Sequence, residues 1–310
     1  MLARSLSLVA MLCLFTSMAF AWNDKGHMVI ARLAWKELTE AERAKVVAIL
    51  KRHPHYQEFH SEKKPDGYTT DEWVFLRAAT WSDWVRGGSK DRQKFHMGPA
   101  HYINMSLIYP GFTGIPQAPA KQNIVSQLAV SKLIAKNGNQ EDRAVHLCWV
   151  FHLVGDIHQP LHCTNFYSPR FPKGDRGGNL ARAKVPNRGS IQLHSFWDDL
   201  LGSGTSVSSI GNSVLEVEIY YQEKKGQIDA DLNKNRKPDD WVREGYEFAK
   251  KYAYLDGKLH PANEDDKPKL EDLPVLPEDY TTNAGKVARY SVAKAGKRLA
   301  AELREILATK

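Results

Sequence analysis

Cysteine is scarce, three residues in 310, and one of them, Cys13, lies in an apolar leader. A disulfide-dense scaffold is therefore excluded, and the remaining pair, Cys148 and Cys163, leaves at most one bridge. No Gly-x-Ser-x-Gly elbow, no His-Glu-x-x-His and no phosphate-cradling P-loop occurs. Their absence argues against an α/β-hydrolase, a zincin protease and an NTPase. Internal repeats and low-complexity tracts are missing, and convincing strands are few. Lys and Arg outnumber Asp and Glu by 43 to 36, but the bases are spread along the chain. The pI of about 9.1 suits a protein that meets polyanions and equally suits an ordinary solvated surface.

What is present begins with residues 1–21. Arg4 is the only charge there, an apolar run follows from Leu6 to Phe15, and Ala19-Phe20-Ala21 offers small residues for cleavage. The pattern is that of a secretory signal peptide, too short for a comfortable membrane span. Cleavage after Ala21 would leave Trp22 as the first residue of a secreted or periplasmic chain, free of the membrane. The alternative is an uncleaved anchor.

Past the leader, helical periodicity dominates. Helices are expected over Val29–Leu38, from the Thr39/Glu42 capping box to Leu50, and over Asn123–Ala135, Arg143–Ile157, Ser213–Lys225, Asp239–Tyr254 and Thr282–Ala308. The Arg143–Ile157 segment is apolar nearly all round, as a buried central helix must be. Gly/Pro-rich loops are expected at Tyr109–Pro119 and Ser168–Ser190, and another loop at His260–Asp279. The reading is one all-α domain over residues 22–310, since no linker divides the polar motifs.

The densest motif is His152-Leu-Val-Gly-Asp156-Ile-His158-Gln-Pro-Leu-His162. His152 and Asp156 are one helical turn apart and share a face, so an imidazole and a carboxylate can converge on one cation. Pro160 should end the helix and let His162 turn toward the same cavity. A His/Asp pair at this spacing is also a common hydrogen-bonded couple. Burial tips the balance, because polar groups on an apolar helix need compensation that a metal supplies. His194-Ser-Phe-Trp-Asp198 repeats the spacing. Asp83 sits between Trp81 and Trp84, and His101 lies in an extended-looking run. Trp22-Asn-Asp-Lys-Gly-His27 would offer a free amine, a carbonyl and an imidazole after cleavage.

Together these residues resemble the zinc-dependent single-strand nuclease and 3′-nucleotidase family, typified by fungal single-strand nucleases and plant bifunctional nucleases. The resemblance runs from the Trp-x3-Gly-His opening to Val292-Ala-Lys-Ala-Gly296-Lys-Arg298-Leu-Ala300 near the end. It implies a mostly helical fold of the zinc-dependent phospholipase C type and three Zn2+ per chain. Asp83, His101, His152 and Asp156 would hold one ion, and His162, His194 and Asp198 the second. Trp22 and His27 would hold the third, with Asp156 bridging. The other seven histidines are left as surface or structural.

The resemblance further implies hydrolysis of single-stranded DNA and RNA to 5′-phosphates by zinc-activated water, with 3′-nucleotides as further substrates and no obligate protein partner. Three dications outweigh three carboxylates, so the site would attract phosphodiesters. Tyr102 would stack on a base and Asn179, in Gly177-Gly178-Asn179, would hydrogen-bond base or sugar. For Tyr102 a core aromatic, and for Asn179 a turn residue, are the plain alternatives. Asn104 stands where fungal members carry an aspartate. It can orient water or substrate but cannot accept a proton, so it is only a possible catalytic participant beside Asp156. Phe196 replaces a polar residue of some fungal members. The competing functions are a phospholipase C-like phosphodiesterase, which would show a more distant N-terminal histidine and a last glutamate ligand, and a non-catalytic zinc-binding relative.

Overall fold

The computed structural model describes residues 22–186 and 189–308; the expected signal peptide lies outside the described residues. Among the described residues, eleven α-helices run in the order α1 Asp24–Glu37, α2 Glu40–Leu50, α3 Thr70–Ala78, α4 Trp81–Trp84, α5 Lys90–Gln93, α6 Ile124–Asn137, α7 Gln140–Asp156, α8 Leu193–Asp198, α9 Val207–Lys234, α10 Pro238–Phe248 and α11 Tyr280–Leu307. Five short strands, β1 Met105–Ile108, β2 Thr164–Tyr167, β3 Ala181–Val185, β4 Gly189–Gln192 and β5 Ala262–Asn263, form a parallel pair β1-β2 and an antiparallel sheet β4-β3-β5. The fold is mostly helical, and no described helix is long and apolar enough to cross a membrane.

Helix α7 is the axis of the larger core. Asn139 caps it, its side chain accepting from the Asp142 N–H, and from Leu147 to Asp156 every residue is buried. Helices α1, α2, α3, α4, α6 and α11 all pack against it. Its last turn gives way at Ile157, and Pro160 opens a 3-10 turn over Pro160–Cys163 that carries His162. Pro160 cannot donate a backbone hydrogen bond, which is why the helix stops there. A second cluster lies under the β4-β3-β5 sheet, around Phe166, Trp197, Tyr254 and Tyr280, and Leu200 and Phe248 touch both cores.

Several boundaries differ from expectation. Helix α1 starts at Asp24, because the Asn23 side chain accepts the Gly26 N–H at 3.1 Å and Asp24 complements the helix dipole. His27 therefore lies within the first turn rather than ahead of the helix. His101 is not extended. It ends a 3-10 turn, Gly98–His101, and β1 follows four residues later. The Ser168–Ser190 stretch holds strand β3, and the segment after α10 closes with a π-helical turn at Ala249–Ala253. The α2 capping box is present as read, with Thr39 and Glu42 exchanging hydrogen bonds. Cys148 and Cys163 are both free and buried.

Candidate metal centre

Backbone pairing gathers the polar motifs before any side chain is considered. The Ile103 N–H donates to the His162 carbonyl at 3.0 Å, and β1 then pairs in register with β2 from Met105 against Thr164. This places His101 and His162 on adjacent segments. The Asn23 N–H reaches the Asp198 carbonyl at 3.4 Å, and the Asn23 side chain donates to Asp199 and to the Gly202 carbonyl. Buried Trp22 is thus held beside the end of α8. At Gly155 a Cβ would fall 2.6 Å from His27 Nδ1. Only glycine lets α1 bring His27 against α7.

Three donor groups result, each with its atoms within 4.8 Å of one another: Asp83, His101 and His152; His27, His152 and Asp156; and His162, His194 and Asp198. Asp156 joins the first two. Its Oδ2 is 2.9 Å from His101 Nδ1 and 3.2 Å from His152 Nε2, while its Oδ1 is 3.2 Å from His27 Nε2. Asp83 Oδ1 is 3.5 Å from His152 Nε2, and His194 Nε2 is 3.6 Å from Asp198 Oδ2. All these side chains are buried.

The donor chemistry fits cations. His152 donates Nδ1–H to the Ala79 carbonyl at 2.8 Å, His162 to the His101 carbonyl and His194 to the Gly177 carbonyl, both at 2.5 Å. Each bond occupies Nδ1 and aims Nε2 at its group, where the neutral ring presents a lone pair, as outer partners of metal-binding imidazoles do. His162 Nε2 and His27 Nδ1 are buried without a hydrogen-bond partner among the described residues. Such orphaned buried atoms are costly unless a ligand takes them. Burial lowers the pKa of His27 and His162 and brings His101 down to about 4, keeping those rings neutral. For His152 burial acts the same way, but Asp156 and Asp83 outweigh it and push the ring up to about 9. The proton on His152 occupies electrostatic ground that a dication would take over.

A cavity of about 760 Å³ opens onto the first and third of these groups and is lined by His101, His162 and His194 together with Tyr102, Asn104 and Asn179. Tyr102 is 39% exposed, so it is a cavity wall and not a core aromatic. Asn179 is both a turn residue, donating to the Arg176 carbonyl at 2.8 Å, and a cavity residue whose Oδ1 is buried without a partner among the described residues. Asn104 adopts a left-handed φ of 58°, a conformation concentrated at functional positions. Phe196 lines a different depression and packs on Tyr280, so its polarity does not bear on this cavity.

The sequence reading missed Arg86, His96 and Arg176, which also line the cavity. Arg86 was legible from its position three residues after Asp83, to which it is paired at 2.8 Å. It missed Gln159 too, whose amide holds Asp198 Oδ1 at 2.7 Å. His158, left as structural, points away from the centre. Its Nδ1–H goes to the Val154 carbonyl and its Nε2 accepts from Arg298. A further buried group, His53, His60 and Cys148, also has compact geometry. There the His55 N–H donates to His53 Nδ1, so the neutral ring keeps its proton on Nε2 and has no lone pair for a metal. Cys148 and His60 meet at 3.7 Å as a thiol–imidazole contact.

The wall carrying Asn179 is anchored by a buried carboxylate. Asp175 accepts from the Phe166 N–H at 2.9 Å and the Tyr254 hydroxyl at 2.6 Å, and burial raises its pKa from 3.8 to about 6. A raised carboxyl pKa means the folded chain binds more protons than the unfolded one between those values. Stability from this group is therefore highest in acid and falls as pH rises from about 4 to 6. Asp175→Asn removes the titration. Its stability relative to the parent should shift in its favour by roughly 2 kcal/mol between pH 4 and pH 7, read from denaturant unfolding at each pH. A constant difference would refute the assignment.

The comparisons agree with this architecture. The profile of the S1/P1 nuclease family matches residues 22–308. Endonuclease 2 of Arabidopsis thaliana is 26% identical over 306 residues, covering 92% of this chain and 90% of its own length. Endonuclease 4 of the same plant is 27% identical over 53% of this chain and 51% of its own, and Endonuclease 3 is 30% identical over 35% and 37%. The histidine–aspartate groups, the helical frame and the extent of the match lead to one assignment: the chain belongs to the S1/P1 nuclease family, a family of metal-dependent hydrolases.

Proposed function

We propose that this protein is a secreted or periplasmic endonuclease that cleaves single-stranded DNA and RNA to 5′-phosphate products, acts on 3′-nucleotides, and carries three zinc ions. The observation that carries the reading is the set of three buried imidazole–carboxylate groups, two of which reach one open cavity through His101, His162 and His194, with Nδ1 of His152, His162 and His194 held by backbone carbonyls. Asp83, His101, His152 and Asp156 would hold one ion and His162, His194 and Asp198 another. His27 would hold the third with the amine and carbonyl of Trp22, and Asp156 would bridge to the first. Bound there, zinc supplies Lewis acidity toward a phosphoryl oxygen and lowers the pKa of water.

The chain's own groups do the rest. Tyr102 offers a half-exposed ring on which a base of any identity can stack, worth about 1–3 kcal/mol. An unpaired base is needed for that, which favours single strands. Asn179 Oδ1 accepts from a base or sugar donor. Asn104, held left-handed at the cavity wall, orients substrate or water and leaves proton transfer to other groups. Gln159 fixes Asp198, and Arg86 fixes Asp83, so the carboxylates are set before substrate arrives.

The test uses protein that begins at Trp22. Metal analysis should find three zinc ions, and single-stranded DNA, RNA and 3′-AMP should all be hydrolysed until a chelator is added. Protein extended by one methionine before Trp22 should lose one zinc equivalent and most of its rate, because its Trp22 nitrogen is then an amide and cannot bind metal. Equal zinc content and equal rate in the two forms would refute the role of the amine. Chelator-resistant hydrolysis would refute the metal reading altogether.

A further inference from the structure

A polynucleotide differs from a mononucleotide in carrying phosphates beyond the one being attacked, and the cavity wall holds a cation suited to one of them. We infer that Arg176 is a specificity residue that clamps a second, non-scissile phosphate and so makes the enzyme prefer strands over single-phosphate substrates. The inference rests on the nuclease reading and deepens it.

The backbone of Arg176 is fixed on both sides. Its N–H donates to Asn165 Oδ1 at 2.9 Å, and its carbonyl accepts from the Asn179 side chain at 2.8 Å and the Asn179 N–H at 3.3 Å. The same turn supplies the Gly177 carbonyl that orients His194. The position of Arg176 is thus rigidly tied to the metal centre. It has a left-handed φ of 56°, followed by 63° at Gly177 and 84° at Gly178. A glycine would adopt that conformation without steric cost, so the turn gains nothing from an arginine.

What the arginine adds is its head group. Arg176 is exposed at the cavity mouth, and no hydrogen bond, ion pair or ring contact engages its guanidinium among the described residues. The neighbouring cations differ: Arg86 is paired with Asp83, and Arg182 is paired with Glu264. Asp265 lies on the same rim, and no ion pair joins it to Arg176. A guanidinium fork with all its donors available matches two phosphate oxygens at once. The scissile phosphate belongs at the buried donor groups, which leaves this exposed fork for a phosphate further along the strand.

The experiment compares the metal-loaded parent, Arg176→Asn and Arg176→Lys on a single-stranded oligonucleotide and on bis(4-nitrophenyl) phosphate, a diester with one phosphate. Asparagine tolerates a left-handed φ, so the neutral variant keeps the turn; melting curves check that both variants fold. For Arg176→Asn, KM on the oligonucleotide should rise about tenfold with kcat within about twofold, and the salt dependence of log kcat/KM should flatten by about 0.7, the share of one phosphate contact on a single strand. Arg176→Lys should recover much of the loss, and the small diester should be cleaved at the parental rate by all three. An unchanged KM and salt slope would overturn the inference, as would an equal loss on the small diester. If the parent cleaves neither substrate, the nuclease reading itself fails.

Discussion

Asp156→Asn should lower kcat/KM on single-stranded DNA by at least about a thousandfold, the several kcal/mol that a lost metal-ion contribution represents, and should reduce bound zinc by one or more equivalents. Asp156 has one oxygen toward His101 and His152 and the other toward His27. Asp83 faces His101 and His152 but makes no ion pair with His27, so among the described carboxylates Asp156 is the one with an oxygen within 3.2 Å of all three rings. Asparagine keeps the shape but removes a full negative charge from a completely buried position and turns one acceptor into a donor aimed at an imidazole lone pair. Both donor groups lose at once, so the effect should exceed that of a change confined to one of them. The metal-free variant should also show a lower His152 pKa, since Asp156 is the larger of the two carboxylate contributions that raise it. Metal analysis together with kinetics checks the claim. Rates within tenfold of the parent at full zinc content would remove Asp156 from the bridging position.

Part of the candidate site was readable from helical spacing, while His27, Asp83 and His101 were assigned only through the family resemblance. His152/Asp156 and His194/Asp198 each lie one turn apart within α7 and α8, and a proline in the right place turned His162 inward. The expected helices were present, although their ends moved where a single cap decided the matter. Asn23 is the clearest case: one side-chain hydrogen bond starts α1 early enough to carry His27.

Contacts that depend on distant segments were not readable. Gln159 holds Asp198 across 39 residues, and Gly155 clears space for a ring on another helix. Arg176 follows an ordinary-looking Gly-Asp pair, and only the folded turn shows its head group to be unengaged at the cavity. His158 illustrates the converse. It lies within the densest motif, yet Arg298 of α11 claims its free nitrogen and takes it out of the candidate metal centre. Periodicity reports which residues share a face; it does not report what comes to meet that face.

That meeting point carries the largest stability effect. Glu244→Ala should destabilise the fold by about 3–5 kcal/mol, the cost of leaving buried cations without their partner. Glu244 accepts from both terminal nitrogens of Arg298, at 2.7 and 3.0 Å, and pairs with Lys294 at 2.9 Å. Both cations are buried, and they come from the Val292–Ala300 motif of α11. With the carboxylate gone, Arg298 retains the Asn235 carbonyl, His158 and the Trp241 ring face, none of them an anion, and Lys294 keeps Asp231 at 3.8 Å. Burial raises the Glu244 pKa, but Arg298 and Lys294 outweigh it and bring it from 4.5 to about 2. A depressed carboxyl pKa contributes stability that is full above about 4.5 and is lost as pH falls toward 2. The gap between parent and Glu244→Ala should therefore be widest near neutrality and should close in acid. Replacing Glu244, Lys294 and Arg298 together by leucine and methionine should recover much of the loss, because the uncompensated charges leave with their partner. Thermal and denaturant unfolding of the metal-free proteins at pH 7 and pH 3 decide the point. A pH-independent gap, or a triple variant no better than the single one, would mean that the cluster holds α11 against the end of α7 by packing and not by charge.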